Sequence, residues 1–179
     1  AREVMVRNDK CAFVPRVQVV GPNGTMKTSS NDPVLHTTVV QQADGRQLFN
    51  VAVPIPGIEI AKPLGAVGVL RVGCSTHQWM RGWIIVTDEV SVVTGADGTF
   101  TLPDVPPGTY ELRVWHEALK AGPTTVTVVA AAVPSIDSDS KPPPLVLAML
   151  RETLPASMYG SSAGAAIDTL PLVAPAAMV

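Results

Sequence analysis

Residues 67–86 read VGVLRVGCSTHQWMRGWIIV, and they place a short polar loop between two strongly apolar segments. The flanking segments, Gly65–Val72 and Trp83–Val86, are apolar almost throughout, as expected of strands that are covered on both faces. The loop Cys74–Met80 brings a thiol, an imidazole and a thioether close together. This stretch therefore predicts two buried strands flanking a loop that can bind a metal ion.

The rest of the N-terminal half is predicted to form short strands separated by turns. Gly, Pro and Asn concentrate in turn sequences such as Gly21-Pro22-Asn23-Gly24, which end the extended segments on either side. The further segments expected to be extended are Val4–Val6, Ala12–Val20, Thr25–Ser29, Leu35–Val40 and Leu48–Val53. Strands punctuated in this way predict an all-β fold, a Greek-key β-sandwich or barrel.

Composition argues against several classes of function. The chain has 15 acidic and 13 basic side chains and no basic stripe, so no nucleic-acid partner is expected. No apolar run approaches the roughly 18 residues that span a bilayer, so no membrane span is expected. The chain starts at Ala1, as it would after removal of a signal peptide, and an exported protein is therefore expected, although a trimmed chain would start in the same way.

The candidate metal ligands are His36, Cys74, His77 and Met80. The spacing of the last three lets one tight loop direct all three side chains toward a point. His36 follows an Asn-Asp-Pro break and must reach the loop from a distant strand end. A thiolate, two imidazoles and a weak axial thioether form the ligand set of electron-transfer copper, so we expect one mononuclear type 1 copper site.

These residues resemble the cupredoxins. The pattern Cys74-x2-His77-x2-Met80, with His36 upstream, is similar to the ligand pattern of that family, and the short loop looks most like the amicyanin type. The opening around Phe13 is also similar to the Phe-x-Pro strand of plastocyanin-like chains. The resemblance covers residues 4 to 87, and it implies a Greek-key cupredoxin fold with copper at these four ligands and His77 as the electron exit.

Two positions depart from the pattern of the cupredoxins. Many relatives have Asn directly after the first His ligand, where its amide joins the two ligand loops, whereas this chain has Thr37, whose hydroxyl reaches less far. Many relatives have Pro after the second His ligand, whereas this chain has Gln78. Both differences leave the ligands intact and are expected to affect the rigidity of the loop and the reduction potential.

A second unit is expected after the copper loop. Residues 94–112, TGADGTFTLPDVPPGTYEL, resemble the later strands of the carboxypeptidase regulatory-like β-sandwich, and the order of the two parts is similar to exported bacterial plastocyanin-like proteins. The expected strands are Thr99–Leu102, Thr109–Trp115 and Thr124–Val129. We therefore divide the chain into a cupredoxin-like domain, 1–88, a small β-sandwich-like extension, 89–130, and an irregular C-terminal tail, 131–179.

The tail is rich in Pro, Ala and Ser, which is typical of chain that cannot bury enough apolar surface to fold alone. Only Leu145–Leu154 is expected to form a short helix. We expect the tail to be a docking arm for other protein chains, which would make the protein a subunit of a larger assembly.

Two alternatives stay open. Cys11 and Cys74 could form a disulfide in an exported protein, and the chain would then be a structural or interaction subunit whose copper site is blocked or empty. A copper carrier is the second alternative, although buried ligands favour retention of the metal over its delivery.

Two residues outside the ligand set also have expected roles. His116 is expected at a strand end, bonded to Glu117 or to the backbone, since one His and one Glu make an incomplete ligand set. Trp79 is a candidate for an apolar docking patch beside His77, because aromatic residues are common at interfaces.

These features together predict a periplasmic or extracellular protein that shuttles single electrons and has no enzymatic activity. The expected partners are redox proteins, such as a cytochrome or a membrane oxidoreductase.

Overall fold

A computed structural model describes residues 2–65, 67–129 and 146–149, the last range through its backbone pairing. The described chain is all-β, as predicted, and no helix in it is long and apolar enough to cross a membrane. The chain divides into two compact units, which meet in sequence between Asp88 and Glu89.

The first unit is a sandwich of two sheets. Its strands are β1 (Glu3–Asp9), β2 (Ala12–Val14), β3 (Val17–Val20), β4 (Thr25–Ser30), β5 (His36–Gln41), β6 (Gln47–Val53), β7 (Ile60–Pro63), β8 (Gly68–Gly73) and β9 (Arg81–Val86). One sheet has the order β2-β1-β4-β7 and the other the order β3-β9-β8-β5-β6. Buried side chains of both sheets, among them Val6, Met26, Val40 and Ile84, form one apolar core. The arrangement confirms the predicted β-sandwich.

The segment Ala12–Val20 forms two strands rather than the single extended piece expected. β2 pairs with β1 in one sheet, and β3 pairs with β9 in the other. Pro15 lies between them, and proline interrupts a ladder because it has no N–H to donate. β7, an edge strand that pairs with β4, was not among the strands predicted from the sequence.

Strand pairing brings both ligand segments to one end of the five-stranded sheet. β5 and β8 are antiparallel, with Val39 opposite Gly73, so the start of β5 lies beside the end of β8. His36 is the first residue of β5, and Cys74 follows the last residue of β8. β8 and β9 are also antiparallel, with Gly73 opposite Arg81, so the loop between these strands closes at the same end.

The second unit contains one sheet with the strand order β10-β13-β11-β12. These strands are β10 (Val90–Val93), β11 (Gly108–Trp115), β12 (Thr124–Val128) and β13 (Val146–Met149). Among the described residues of this unit, the buried side chains of Leu102, Val105, Tyr110, Leu112 and Val128 form an apolar core. β11 and β12 pair antiparallel and agree with the strands expected from the alternating pattern.

Two predictions for the second unit are wrong. Thr99–Leu102 is not a strand, because Thr99 bonds within the preceding turn: its carbonyl oxygen accepts from Gly95 N–H, and its own N–H donates to the Asp97 carboxylate. Val146–Met149 is a strand and not part of a helix, since it pairs in parallel with both β10 and β11, and such tertiary pairing overrides local propensity. The rest of the predicted docking arm lies outside the described residues.

Gly24 ends the turn between β3 and β4, where a side chain would have no room. Its N–H donates to the carbonyl oxygen of Gly21 at 3.1 Å. A methyl carbon at this position would meet the Val20 side chain and lie 2.9 Å from that same Gly21 oxygen. We expect Gly24→Ala to lower the free energy of unfolding by about 1–3 kcal/mol, the usual cost of overpacking.

Chemical denaturation of the metal-free protein measures this loss. Gly73→Ala is the control, because a methyl carbon added there meets no atom within 4 Å beyond its chain neighbours. Equal stability of the two variants would contradict the steric account.

Candidate metal centre

Three of the four predicted ligands converge at the end of the five-stranded sheet. His36 is 0% exposed, Cys74 is 6% exposed, and His77 is half-buried. Nδ1 of His36 lies 3.1 Å from Nδ1 of His77. Sγ of Cys74 lies 4.0 Å from the first nitrogen and 3.7 Å from the second.

These separations suit a shared metal ion. Ligand atoms at about 2.0–2.3 Å from a four-coordinate ion are roughly 3.3–3.6 Å apart. The separations among the three atoms, 3.1, 3.7 and 4.0 Å, bracket this range, so small side-chain shifts would bring the atoms to bonding distance of one ion. All three ligand atoms lie within 4.8 Å of one another. The donor set, one thiolate and two imidazoles, is the one that soft and borderline transition metals prefer.

Met80 closes the ligand loop. Its N–H donates to the carbonyl oxygen of His77 at 3.0 Å. Its side chain is 2% exposed and packs in the same apolar cluster as Cys74. The fold thus buries the thioether at the end of the sheet that carries the other ligands, and its role as axial ligand stays a prediction.

Thr37 joins the two ligand segments and stabilises the Cys74 thiolate. Its N–H lies 3.4 Å and its hydroxyl 3.6 Å from Sγ of Cys74. The same hydroxyl accepts the N–H of Ser75 at 2.7 Å. Burial raises the pKa of Cys74, but the hydrogen bonds to Sγ, above all that from the Thr37 N–H, outweigh it and lower the pKa to about 6. The side chain of Thr37 is shorter than that of Asn, and it still joins the two ligand segments.

The Asp32 carboxylate orients the His36 ring. Its Oδ2 lies 2.9 Å from Nε2 of His36, so a proton on Nε2 leaves the lone pair of Nδ1 facing Cys74 and His77. The same carboxylate accepts the N–H groups of Lys10 at 2.7 Å and of Cys11 at 2.9 Å. Chiefly through the Cys11 N–H, and despite burial, these contacts hold the pKa of Asp32 below its ordinary value.

Sequence reasoning treated Asp32 only as part of a strand break and missed this role. The available signal was the acidic residue four positions before a candidate His ligand. Such a carboxylate can reach the far nitrogen of the ring when the intervening residues form a turn.

Cys11 and Cys74 are both free thiols, so the disulfide that the sequence left open is not formed. Cys11 is half-buried and packs against the apolar cluster that contains Cys74. Its carbonyl oxygen accepts the indole N–H of Trp79 at 3.2 Å.

Trp79 and His116 take the positions expected of them. Trp79 is 67% exposed, and its ring centroid lies 5.1 Å from that of His77. In the second unit, Nδ1 of His116 accepts the N–H groups of Ala118 and Leu119, both at 3.1 Å. These bonds to the backbone confirm His116 as a strand-end residue that stabilises a turn.

Solved structures match about half of the chain. Amicyanin from Paracoccus versutus (Thiobacillus versutus) is 17% identical, with a TM-score of 0.43, over 49% of this chain and 83% of that one. A purple cupredoxin from Nitrosopumilus maritimus is 18% identical, with a TM-score of 0.42, over 46% of this chain and 98% of that one. A reduced Cu(I) form of an amicyanin mutant is 15% identical, with a TM-score of 0.40, over 47% of this chain and 81% of that one. These proteins are cupredoxins, the family that the ligand loop resembles.

A family model matches a segment that begins within β9 and continues into the second unit. The model described as polysaccharide lyase family 4, domain II, matches residues 82–135. That domain is a β-sandwich, in agreement with the predicted extension, although the family differs from the carboxypeptidase regulatory-like one that the sequence resembles. No curated protein matches the sequence.

We expect Asp32→Asn to weaken binding of added copper about 10–100-fold, the usual effect of losing the partner of a His ligand. The amide places an NH2 group where one carboxylate oxygen now accepts, so at least one bond to His36, Lys10 or Cys11 is lost. Competition with a copper chelator measures the affinity. Asp44→Asn makes the same change at an exposed residue of the same unit and should leave the affinity unaltered; a similar loss in both variants would refute the role of Asp32.

We expect Thr37→Val to raise the pKa of Cys74 from its value of about 6, because the variant removes a hydroxyl donor to the thiolate. A pH titration of thiolate absorbance in metal-free protein measures the shift. Cys11→Ser in the background leaves Cys74 as the only titrating thiol. Thr76→Val changes an exposed residue of the same loop and should not move the titration. An unchanged pKa in the Thr37 variant would contradict this expectation and show that the backbone N–H donors lower the pKa without the hydroxyl.

Proposed function

We propose that this protein is a type 1 copper protein that accepts and donates one electron at a time. The observation that carries the proposal is the convergence of His36 Nδ1, His77 Nδ1 and Cys74 Sγ within 4.8 Å of one another at one end of a β-sandwich. Bound copper would supply one-electron exchange between its Cu(I) and Cu(II) states. Met80 is the proposed weak axial ligand, which completes the set expected of a blue-copper site.

The surrounding residues favour fast electron transfer because they limit movement of the ligands. Asp32 fixes the orientation of the His36 ring, and Thr37 ties the Cys74 loop to β5. A copper site held in this way would not relax fully toward the geometry preferred by either oxidation state. Little rearrangement would then accompany each transfer, which would keep the barrier low.

We place the route of electron exchange at His77. It is the half-buried member of the set, whereas His36 and Cys74 are buried. The exposed indole of Trp79 lies beside its ring and offers an apolar contact for a partner. The proposed partners are redox proteins, such as a cytochrome or a membrane oxidoreductase.

Burial of the ligands favours an electron carrier over a copper carrier. His36, Cys74 and Met80 are 0%, 6% and 2% exposed, so release of the metal would require the end of the sandwich to open.

We propose no enzymatic activity, since the ligand set provides for electron exchange alone. We also propose export to the periplasm or the cell exterior, on the resemblance to exported plastocyanin-like proteins, and attachment to other chains through the Pro/Ala/Ser-rich tail.

Addition of copper to the purified protein, followed by optical and paramagnetic resonance spectra, tests the proposed function. We expect an intense visible thiolate-to-copper band that disappears on reduction and returns on reoxidation. Cys74→Ser should abolish the band, and Cys11→Ser, the matched control, should retain it. A colourless protein, or a band that depends on Cys11 instead, would overturn the proposal and favour a structural subunit with an empty site.

A further inference from the structure

A second group of ligand atoms adjoins the proposed copper centre. Sγ of Cys11, a carboxylate oxygen of Asp32 and a ring nitrogen of His36 also lie within 4.8 Å of one another. We propose that these three residues form a second metal site, for a divalent cation with affinity for sulfur such as Zn²⁺. The His36 imidazole would then be shared between two sites.

The two nitrogens of His36 face different groups. Nδ1 lies 3.1 Å from Nδ1 of His77 and 4.0 Å from Sγ of Cys74. Nε2 lies 2.9 Å from Oδ2 of Asp32. The ring is fully buried, so the surrounding protein holds it in this one orientation. Each nitrogen therefore points its N–H or its lone pair toward a separate group of side chains.

Asp32 can bind a cation without losing its bonds to the backbone. Oδ1 accepts the N–H of Lys10, and Oδ2 accepts that of Cys11, which leaves Oδ2 a further lone pair toward His36. Nitrogen and oxygen ligands at about 2.0–2.1 Å from a tetrahedral Zn²⁺ are roughly 3.3 Å apart. The present separation of 2.9 Å needs to widen by only a few tenths of an ångström when a cation replaces the proton on Nε2.

The backbone around Cys11 is held in place for this role. Lys10 and Cys11 have φ values of +51° and +55°, in the left-handed region that non-glycine residues seldom occupy. The Asp32 carboxylate bonds both N–H groups, and the Trp79 indole bonds the Cys11 carbonyl oxygen. The thiol thus emerges from a turn that is fixed on both sides, and its partial exposure leaves room for a water molecule as fourth ligand.

The types of ligand select the cation. A thiolate and an imidazole disfavour Ca²⁺ and Mg²⁺, which prefer oxygen, while thiolate, carboxylate and imidazole together suit Zn²⁺. In the copper-free protein the proton on Nε2 can move to Nδ1, so Zn²⁺ binding releases only the Cys11 proton. Were copper held on Nδ1, binding of Zn²⁺ would release the Nε2 proton as well, and the two sites would share the ring as imidazolate.

Cobalt(II) is a spectroscopic probe for this site, and Cys74→Ser isolates it from the first one. We expect the variant to bind one equivalent of Co²⁺ with a thiolate-to-cobalt charge-transfer band, which in this background can come only from Cys11. Added Zn²⁺ should remove the band at one equivalent. Asp32→Asn in the same background should weaken Co²⁺ binding at least about tenfold, whereas Asp44→Asn should not.

Absence of the sulfur band, or a band indifferent to Asp32, would overturn the proposal. Cys74→Ala serves in the same way if the serine variant fails to fold. A second measurement uses the copper-loaded wild type. Added Zn²⁺ should alter the paramagnetic resonance spectrum of copper through the shared ring, and Cys11→Ser should abolish this change. An unchanged spectrum would overturn the sharing of the His36 ring between the two sites. A positive cobalt result with a colourless copper titration would remove the proposed electron transfer and leave this site standing.

Discussion

The antiparallel register of β5 on β8 is the constraint on which the metal centre depends. Side chains alternate between the faces of a sheet, so a slip of one residue would turn His36 away from the core. In the observed register Val39 lies opposite Gly73, and the buried His36 ring faces the segment that begins at Cys74. The pairing of β8 with β9 then closes the ligand loop over the same end of the sheet. The site is therefore assembled by strand pairing across a long separation in sequence.

The buried polar groups of the first unit form hydrogen bonds with one another, and these bonds fix the segments that carry them. Burial of a carboxylate costs free energy unless hydrogen-bond donors surround it. The donors to Asp32 come from the β1–β2 turn and from His36, so the carboxylate joins that turn to the start of β5. Thr28 of β4 and Thr38 of β5, both fully buried, share a hydrogen bond of 2.8 Å that links the two sheets. Satisfied polar pairs of this kind favour one arrangement of the core over alternatives.

The sequence predicted the parts of the structure that depend on local pattern. The all-β class and the strands around the ligand loop followed from apolar runs and turn residues. The convergence of His36 with Cys74 and His77 depends on strand pairing, and it was predicted from the copper ligand set and the resemblance to the cupredoxins. The break at Pro15, the edge strand β7 and the insertion of β13 between β10 and β11 depend on which strands pair, which local pattern does not encode. The hydrogen bonds of Asp32 and Thr37 were not predicted for a similar reason, because each joins a side chain to atoms of a segment distant in sequence.

The position of Trp79 also gives the protein an internal optical reporter. Its exposed indole lies 5.1 Å from the His77 imidazole, centroid to centroid, and its N–H is bonded to Cys11, so it adjoins both clusters of ligands. An excited indole so close to a paramagnetic ion loses its energy to that ion before it can emit. The emission of this indole, one of three in the chain, would therefore fall when Cu(II) fills the centre and rise when Cu(II) leaves it, without any added dye.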